Sequence, residues 1–287
     1  METDKILAVM GSGGSGKTTL CIKLAMELAK KHKNVIVVFC DPFTPVIPFV
    51  LPADTVHDTS LGALLTMPTL MQKHILDACV TAKESEYISF LGYRSGESLM
   101  NYPKITREKA VDFYVLLRHL ADYVIIDSAT VFEADVASIV GLEMADRVLR
   151  LGTSNLRGIS YFQSHGILLS DSKFRPENHI SAIGNLKTGQ EWEAVAQQYG
   201  GVRYLLPYVP EIEQQYDEAA LPEPLLSKES VLYAAEIRKI LSDVFSVHFE
   251  LEKQKSREKA VPVKKEAGKE RTKPVFKLPF TKHKGEF

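Results

Sequence analysis

Cysteine is scarce in this chain: three in 287 residues, at Cys21, Cys40 and Cys79. All lie in or beside apolar segments without ligand-like spacing. That excludes a disulfide framework, and they are expected as small core hydrophobes in a reducing compartment. The eight histidines are scattered with no metal-ligand spacing, and the single tryptophan, Trp192, falls on an expected helix as a packing residue. No apolar run approaches the roughly 18 residues that a membrane span requires. Met1-Glu-Thr-Asp-Lys5 leads straight into an apolar strand, which leaves no room for a signal peptide. The expected location is the cytoplasm, with peripheral membrane contact left open. An excess of one charge sign is also missing. A formal net charge of -1 gives no global reason to expect nucleic acid or anionic membrane as a partner. With 45% hydrophobic and 25% charged residues, the chain can bury one large core, or one core plus an appendage.

What the sequence does contain is Gly11-Ser-Gly-Gly-Ser-Gly-Lys17-Thr18-Thr19, set between an apolar run, Ile6-Leu-Ala-Val-Met10, and a helical pattern of Leu20, Leu24, Met26, Leu28 and Ala29. Strand, glycine loop and helix form the order that phosphate binding needs. Backbone N–H groups converge on phosphate oxygens only where no side chain blocks the approach, which Gly11, Gly13, Gly14 and Gly16 provide, with Ser12 and Ser15 between them. The helix N-terminus adds unpaired N–H groups and its positive dipole end at Thr18 and Thr19. Lys17 can reach the β- and γ-phosphates, and the Thr18 hydroxyl is placed to ligate Mg²⁺.

The chain alternates expected strands, at 5–10, 34–40, 87–91, 123–127, 147–151, 180–185 and 202–206, with expected helices at 106–120, 134–144, 154–170, 190–199 and 227–252. Runs such as Val35-Ile-Val-Val-Phe39 suit strands buried on both faces of a parallel sheet. The expectation is a doubly wound α/β fold with a mostly parallel sheet flanked by helices, the P-loop NTPase fold, with its ligand beyond the carboxyl ends of the strands. Five prolines between residues 42 and 83 blur the boundaries there. Leu61-Gly-Ala-Leu-Leu65, with Met67, Leu70 and Met71, is expected as core ahead of a partner-binding face. Arg147 and Arg150 are expected to solvate strand ends. Residues 250–287 hold twelve Lys/Arg against six Asp/Glu, a net of +6 that leaves -7 for residues 1–249. The expected division is therefore a P-loop domain over 1–249 and a basic, disordered tail over 250–287. Lys273-Pro-Val-Phe-Lys-Leu-Pro-Phe280 within the tail reads as an extended docking peptide or as a solvated end.

Two aspartates close apolar strands at the sheet edge where the glycine loop lies. Asp127, after Tyr123-Val-Ile-Ile, is expected to hold Mg²⁺ through a water. Asp41, after residues 35–40, is expected to position the attacking water or to contact the metal shell. Either alone would more often be a strand-end or cap residue. The catalytic assignment is thus Lys17 and Asp41, and the metal assignment Thr18, Asp41 and Asp127.

On these residues the chain resembles the ParA/MinD family of P-loop ATPases over roughly residues 4–245. The marks are the glycine loop, Asp41-Pro42, Asp127, Ala145-Asp-Arg-Val148, Asn185 ending a strand, and Leu206-Pro-Tyr-Val-Pro-Glu211. Within that family it is most similar to the CpaE/TadZ branch, which serves pilus and secretion assembly. The resemblance implies ATP and Mg²⁺ as cofactors, an ATP-dependent homodimer reversed by hydrolysis, adenine contact by Asn185, and a base pocket lined by residues 207–210, with Pro207 and Val209 foremost. Asn185-Leu-Lys-Thr188 replaces any Asn-Lys-x-Asp, so guanine selectivity is not indicated. Two departures stand out. Ser12 occupies the position of the family's signature lysine, and Phe39 stands where many relatives place an aspartate. The first implies slow hydrolysis, weak ATP-driven dimerisation or dimerisation by another surface. Three readings follow: a localisation or assembly ATPase with a protein partner, a DNA or plasmid partition ATPase using the basic tail, and an ATP-bound scaffold without turnover. No lid with clustered arginines stands out, which argues against a small-molecule kinase.

Overall fold

Ile6, Ala8 and Met10 join the core on one side of β1 (Ile6–Gly11), Leu7 and Val9 the core on the other, and all five are fully buried. β2 (Val35–Phe39) and β5 (Tyr123–Asp127) divide in the same way, Val38 and Ile126 to one side, Val37 and Ile125 to the other. A period of two is hidden in such strands because neither face meets water. The computed structural model describes residues 4–51 and 60–249; the expected basic tail lies outside the described residues. The remaining strands are β3 (Val80–Thr81), β4 (Ile88–Gly92), β6 (Arg147–Thr153), β7 (His179–Leu186) and β8 (Tyr204–Pro207). They form one eight-stranded sheet in the order β3-β4-β2-β5-β1-β6-β7-β8, parallel throughout except for β3 against β4. This is the doubly wound α/β fold expected from the sequence.

Helices cover both faces. α1 (Lys17–Ala29) contributes Leu20, Leu24 and Leu28 to one core, and the last helix, Ser230–Phe245, adds Ile237, Ile240, Leu241 and Val244. The opposite core takes Phe113, Tyr114 and Leu117 from Arg107–Leu120, Ala137 and Val140 from Val136–Met144, and Phe162 and Leu169 from Leu156–Leu169. Numbered along the chain, Ser230–Phe245 is α10, and the three helices on the opposite face are α5, α6 and α7. Among the described residues between β2 and β3 lie three short helices, α2 (Ile47–Val50), α3 (Leu61–Leu65) and α4 (Gln72–Ala78). Leu61, Leu64 and Leu65 are buried, while Met71 is half exposed, so α3 belongs to the core.

Several expected boundaries are corrected. α10 stops at Phe245, where Ser246 takes a left-handed φ of 56°, and does not run to residue 252. α8 (Glu193–Gln198) is shorter than 190–199, because Trp192 sits outside it as the N-cap, packed against the core. α9 (Pro210–Asp217) was not anticipated; its proline occupies the first turn, where the missing N–H costs nothing. Arg150 does not solvate a strand end. It lies within β6, and its Nη2 donates to Ser181 Oγ at 2.7 Å and to the Tyr199 carbonyl at 3.3 Å.

The site is placed by one topological fact: β1 lies between β5 and β6, where the strand order reverses. Val9 pairs with Asp127 and Gly11 with Leu151, so the loop after β1 leaves the carboxyl edge of the sheet beside the last residue of β5.

Candidate nucleotide site

The loop over residues 12–16 is shaped by what its glycines permit. Gly16, the N-cap of α1, has φ 90°, and Gly14 has φ 74°, both in the left-handed region that favours glycine. Gly13, Gly14, Ser15 and Gly16 line a cleft of about 720 Å³, followed by Lys17, Thr18 and Thr19. Gly11 and Ser12 are not among the residues that line the cleft, and both meet it through Lys17, whose ammonium their carbonyls accept. A Cβ on Gly11 would lie 1.9 Å from the Leu151 carbonyl oxygen, so the glycine lets β1 close on β6 rather than clearing a path for phosphate. Ser12 is buried, its Oγ without a hydrogen-bond partner, and its backbone carbonyl serves Lys17.

Lys17 Nζ donates to Gly11 O at 3.1 Å, to Ser12 O at 3.4 Å and to Thr130 Oγ1 at 3.1 Å. Burial pulls its pKa down, opposed by the nearby Asp127 charge. Thr18 Oγ1 donates to Asp127 Oδ2 at 2.5 Å. The other carboxylate oxygen of Asp127, Oδ1, is buried with no partner, and burial raises the carboxyl to about 6 in spite of Lys17 and Thr18. A desolvated carboxylate with one oxygen unpaired, beside a hydroxyl, is a hard oxygen pair that fits Mg²⁺. Thr18 and Asp127 are the residues that would hold the ion.

Asp41 lines the same cleft, but its carboxylate caps its own turn. Oδ1 accepts from Phe43 N at 2.9 Å and Thr44 N at 3.1 Å, and Oδ2 from Thr44 Oγ1 at 3.0 Å. Asn185 stands at the far side with a left-handed φ of 53°, its Nδ2 bonded to Gly14 O at 3.0 Å, so it braces the loop as well as lining the cleft. Pro207, Tyr208 and Val209 follow from the end of β8, and Tyr233 of α10 closes the wall.

Two residues escaped the sequence reading. Thr130 holds Lys17 and lies three positions after Asp127, a spacing that offered a signal. Arg157 reaches Gly13 from α7, where a Cβ on the glycine would lie 3.6 Å from Arg157 Nη2, and nothing in the sequence pointed there.

A doubly wound sheet with a glycine loop, a buried lysine and a threonine–aspartate pair at its switch point defines a phosphate-loop nucleotide-binding protein. More narrowly, the chain belongs to the CobQ/CobB/MinD/ParA nucleotide-binding domain family, which matches residues 6–191. Among solved structures it is similar to a ParA family ATPase from Chlorobium tepidum TLS, with a TM-score of 0.69 at 16% identity over 83% of this chain and 97% of that one. The septum site-determining protein MinD complexed with Mg-ADP, from Pyrococcus horikoshii OT3, gives 0.62 at 17% identity over 84% and 95%. A plasmid partition protein from Borrelia burgdorferi B31 bound to AMPPNP, described as putative, gives 0.60 at 15% over 84% and 99%. At these identities the likeness shows the fold. No curated protein matches the chain.

Proposed function

We propose that this chain binds ATP with Mg²⁺ and uses the nucleotide state to control its own association and the recruitment of a larger assembly, in the manner of a CpaE/TadZ-type localisation ATPase. The observation that carries the reading is the pairing of Thr18 with Asp127 beside a glycine loop, among the residues that line a cleft of about 720 Å³. Support comes also from the fold neighbours solved with Mg-ADP and AMPPNP.

In this reading the loop amides of residues 13–18 and the dipole of α1 bind the phosphates, and Lys17 moves from the Gly11 and Ser12 carbonyls onto them. Mg²⁺, when bound, neutralises charge shared by the β- and γ-phosphates. Thr18 and Asp127 would hold it in exchange for the hydrogen bond they otherwise share. Asn185, Pro207 and Val209 bound the base. Asp41 reaches its water-orienting role by turning its carboxylate from Phe43 and Thr44 toward the cleft. The water then attacks the terminal phosphorus, the bond to the bridging oxygen breaks, and ADP and inorganic phosphate result. Ser12 brings no cation to the loop, which makes this turnover slow.

Purified protein is titrated with Mg-ATP by calorimetry and its oligomeric state followed by light scattering, with Lys17→Ala alongside. Binding, turnover and an ATP-dependent dimer, all lost in Lys17→Ala, are expected. Tight binding with neither response selects the ATP-bound scaffold. A partition role rests on the plasmid partition neighbour and the basic residues 250–287, and salt-sensitive binding to DNA of arbitrary sequence would select it.

A further inference from the structure

Arginine in this protein is a paired residue. Arg94, Arg107, Arg118, Arg147, Arg203 and Arg238 form ion pairs, and Arg150 and Arg175 donate to hydroxyl or carbonyl oxygens. Arg157 is the exception among the described residues, with no hydrogen bond or ion pair. It sits exposed on the first turn of α7, and its Nη2 lies against Gly13, on the loop that should hold phosphate.

The position of Gly13 says which part of a nucleotide the guanidinium would meet. Asn185 and residues 206–209 bound the cleft at the ends of β7 and β8. Lys17, Asp127 and Thr130 bound it at the end of β5, and the same Cβ built on Gly13 would lie 4.0 Å from Thr130 Cγ2. A base held at the first end directs the terminal phosphate to the second. There the loop offers one lysine and the neutral, inward-facing Ser12.

We infer that Arg157 is the second cation of the site and contacts the terminal phosphate of a bound nucleoside triphosphate, so that this chain distinguishes triphosphate from diphosphate through α7. The inference rests on the nucleotide-binding reading above. Its chemistry is that of a planar fork with free donors beside a multiply charged oxyanion, where charge-assisted hydrogen bonds are strong. The unpaired state of Arg157 is what such a role requires, since a competing carboxylate would have to be displaced first.

The test compares wild type, Arg157→Ala and Arg157→Lys for affinity to Mg-ATP and Mg-ADP by calorimetry, on the full chain. Arg157→Ala is expected to lose about ten- to hundredfold in ATP affinity with ADP affinity unchanged, and Arg157→Lys to recover part of it. Thermal unfolding serves as the control, and an unchanged midpoint is expected for an exposed, unpartnered side chain. Equal ATP affinities in wild type and Arg157→Ala, or equal losses for ATP and ADP, overturn the assignment while leaving the site intact. A wild-type protein that binds neither nucleotide overturns the site reading itself, and this inference with it.

Discussion

At Gly11 the approach of β1 to β6 depends on an atom that is not there. A methyl group 1.9 Å from the Leu151 carbonyl cannot be housed, and its neighbour is backbone that can yield only by parting the strands. Gly11→Ala is expected to destabilise the protein by at least about 2 kcal/mol in denaturant titration, with nucleotide affinity falling as a consequence. Asp127 presents the opposite case, a residue that burdens the fold. Its carboxyl is raised to about 6 by burial, above the ordinary unfolded value of 3.8, so in metal-free protein the charge opposes folding above pH 6. That penalty is relieved as pH falls from 6 toward 4, because the folded state takes up the proton first. Asp127→Asn is therefore expected to match or exceed the wild type in stability at pH 7, by up to about 3 kcal/mol, while Mg-nucleotide affinity drops at least tenfold. The advantage over wild type should shrink on acidification to pH 4, and a constant difference would refute the cause given. These glycines and the aspartate were visible in sequence because their spacing is local. Arg157 was not, since no spacing links residue 13 to residue 157, and the roles of Gly11 and Ser12 turned on which way a strand end faces.

α1 carries more than the phosphate loop. Lys23, one and a half turns beyond Lys17, is buried, and its ammonium donates to Gln215 Oε1 at 2.6 Å, Leu221 O at 2.7 Å and Glu223 O at 2.8 Å. Three hydrogens meet three acceptors, and the segment between α9 and α10 is fastened to the helix that begins at the phosphates. α9 supplies Ile212, Glu213 and Tyr216 to the cleft, so one helix organises both walls. Lys23→Met removes the ammonium from all three acceptors, leaving Glu223 O only the longer 3.5 Å bond from Gln215 Nε2, and is expected to cost about 1–3 kcal/mol. Burial lowers Lys23 to about 8 from 10.5, so the unfolded chain binds more protons between those values, and wild-type stability should rise with pH across that window. Lys23→Met should lack the rise. Elements with dense apolar runs, β2 and β5 above all, could be read directly. β3 could not, being two residues long and paired at the edge, nor α9, a helix of eight residues that opens on Pro210.

For the whole molecule, residues 4–51 and 60–249 hold both cores and every wall of the cleft described above. A chain ending at Phe249 is expected to keep the unfolding midpoint and Mg-ATP affinity of the full protein, and a fall of several degrees would show that residues 250–287 contribute to the core. Calorimetry on the two chains settles it. The sheet order carries another consequence. β1 is central, yet Ile6 pairs with Val124 and Leu7 with Arg147, partners more than a hundred residues later in the chain. On a ribosome adding about 5–20 residues per second, this strand waits roughly 6–25 s with both edges open. The segment that leads into the phosphate loop is thus the one a holding chaperone would meet longest. Conservative substitutions within residues 6–10 should lower yield during synthesis by more than their effect on the stability of the mature protein accounts for.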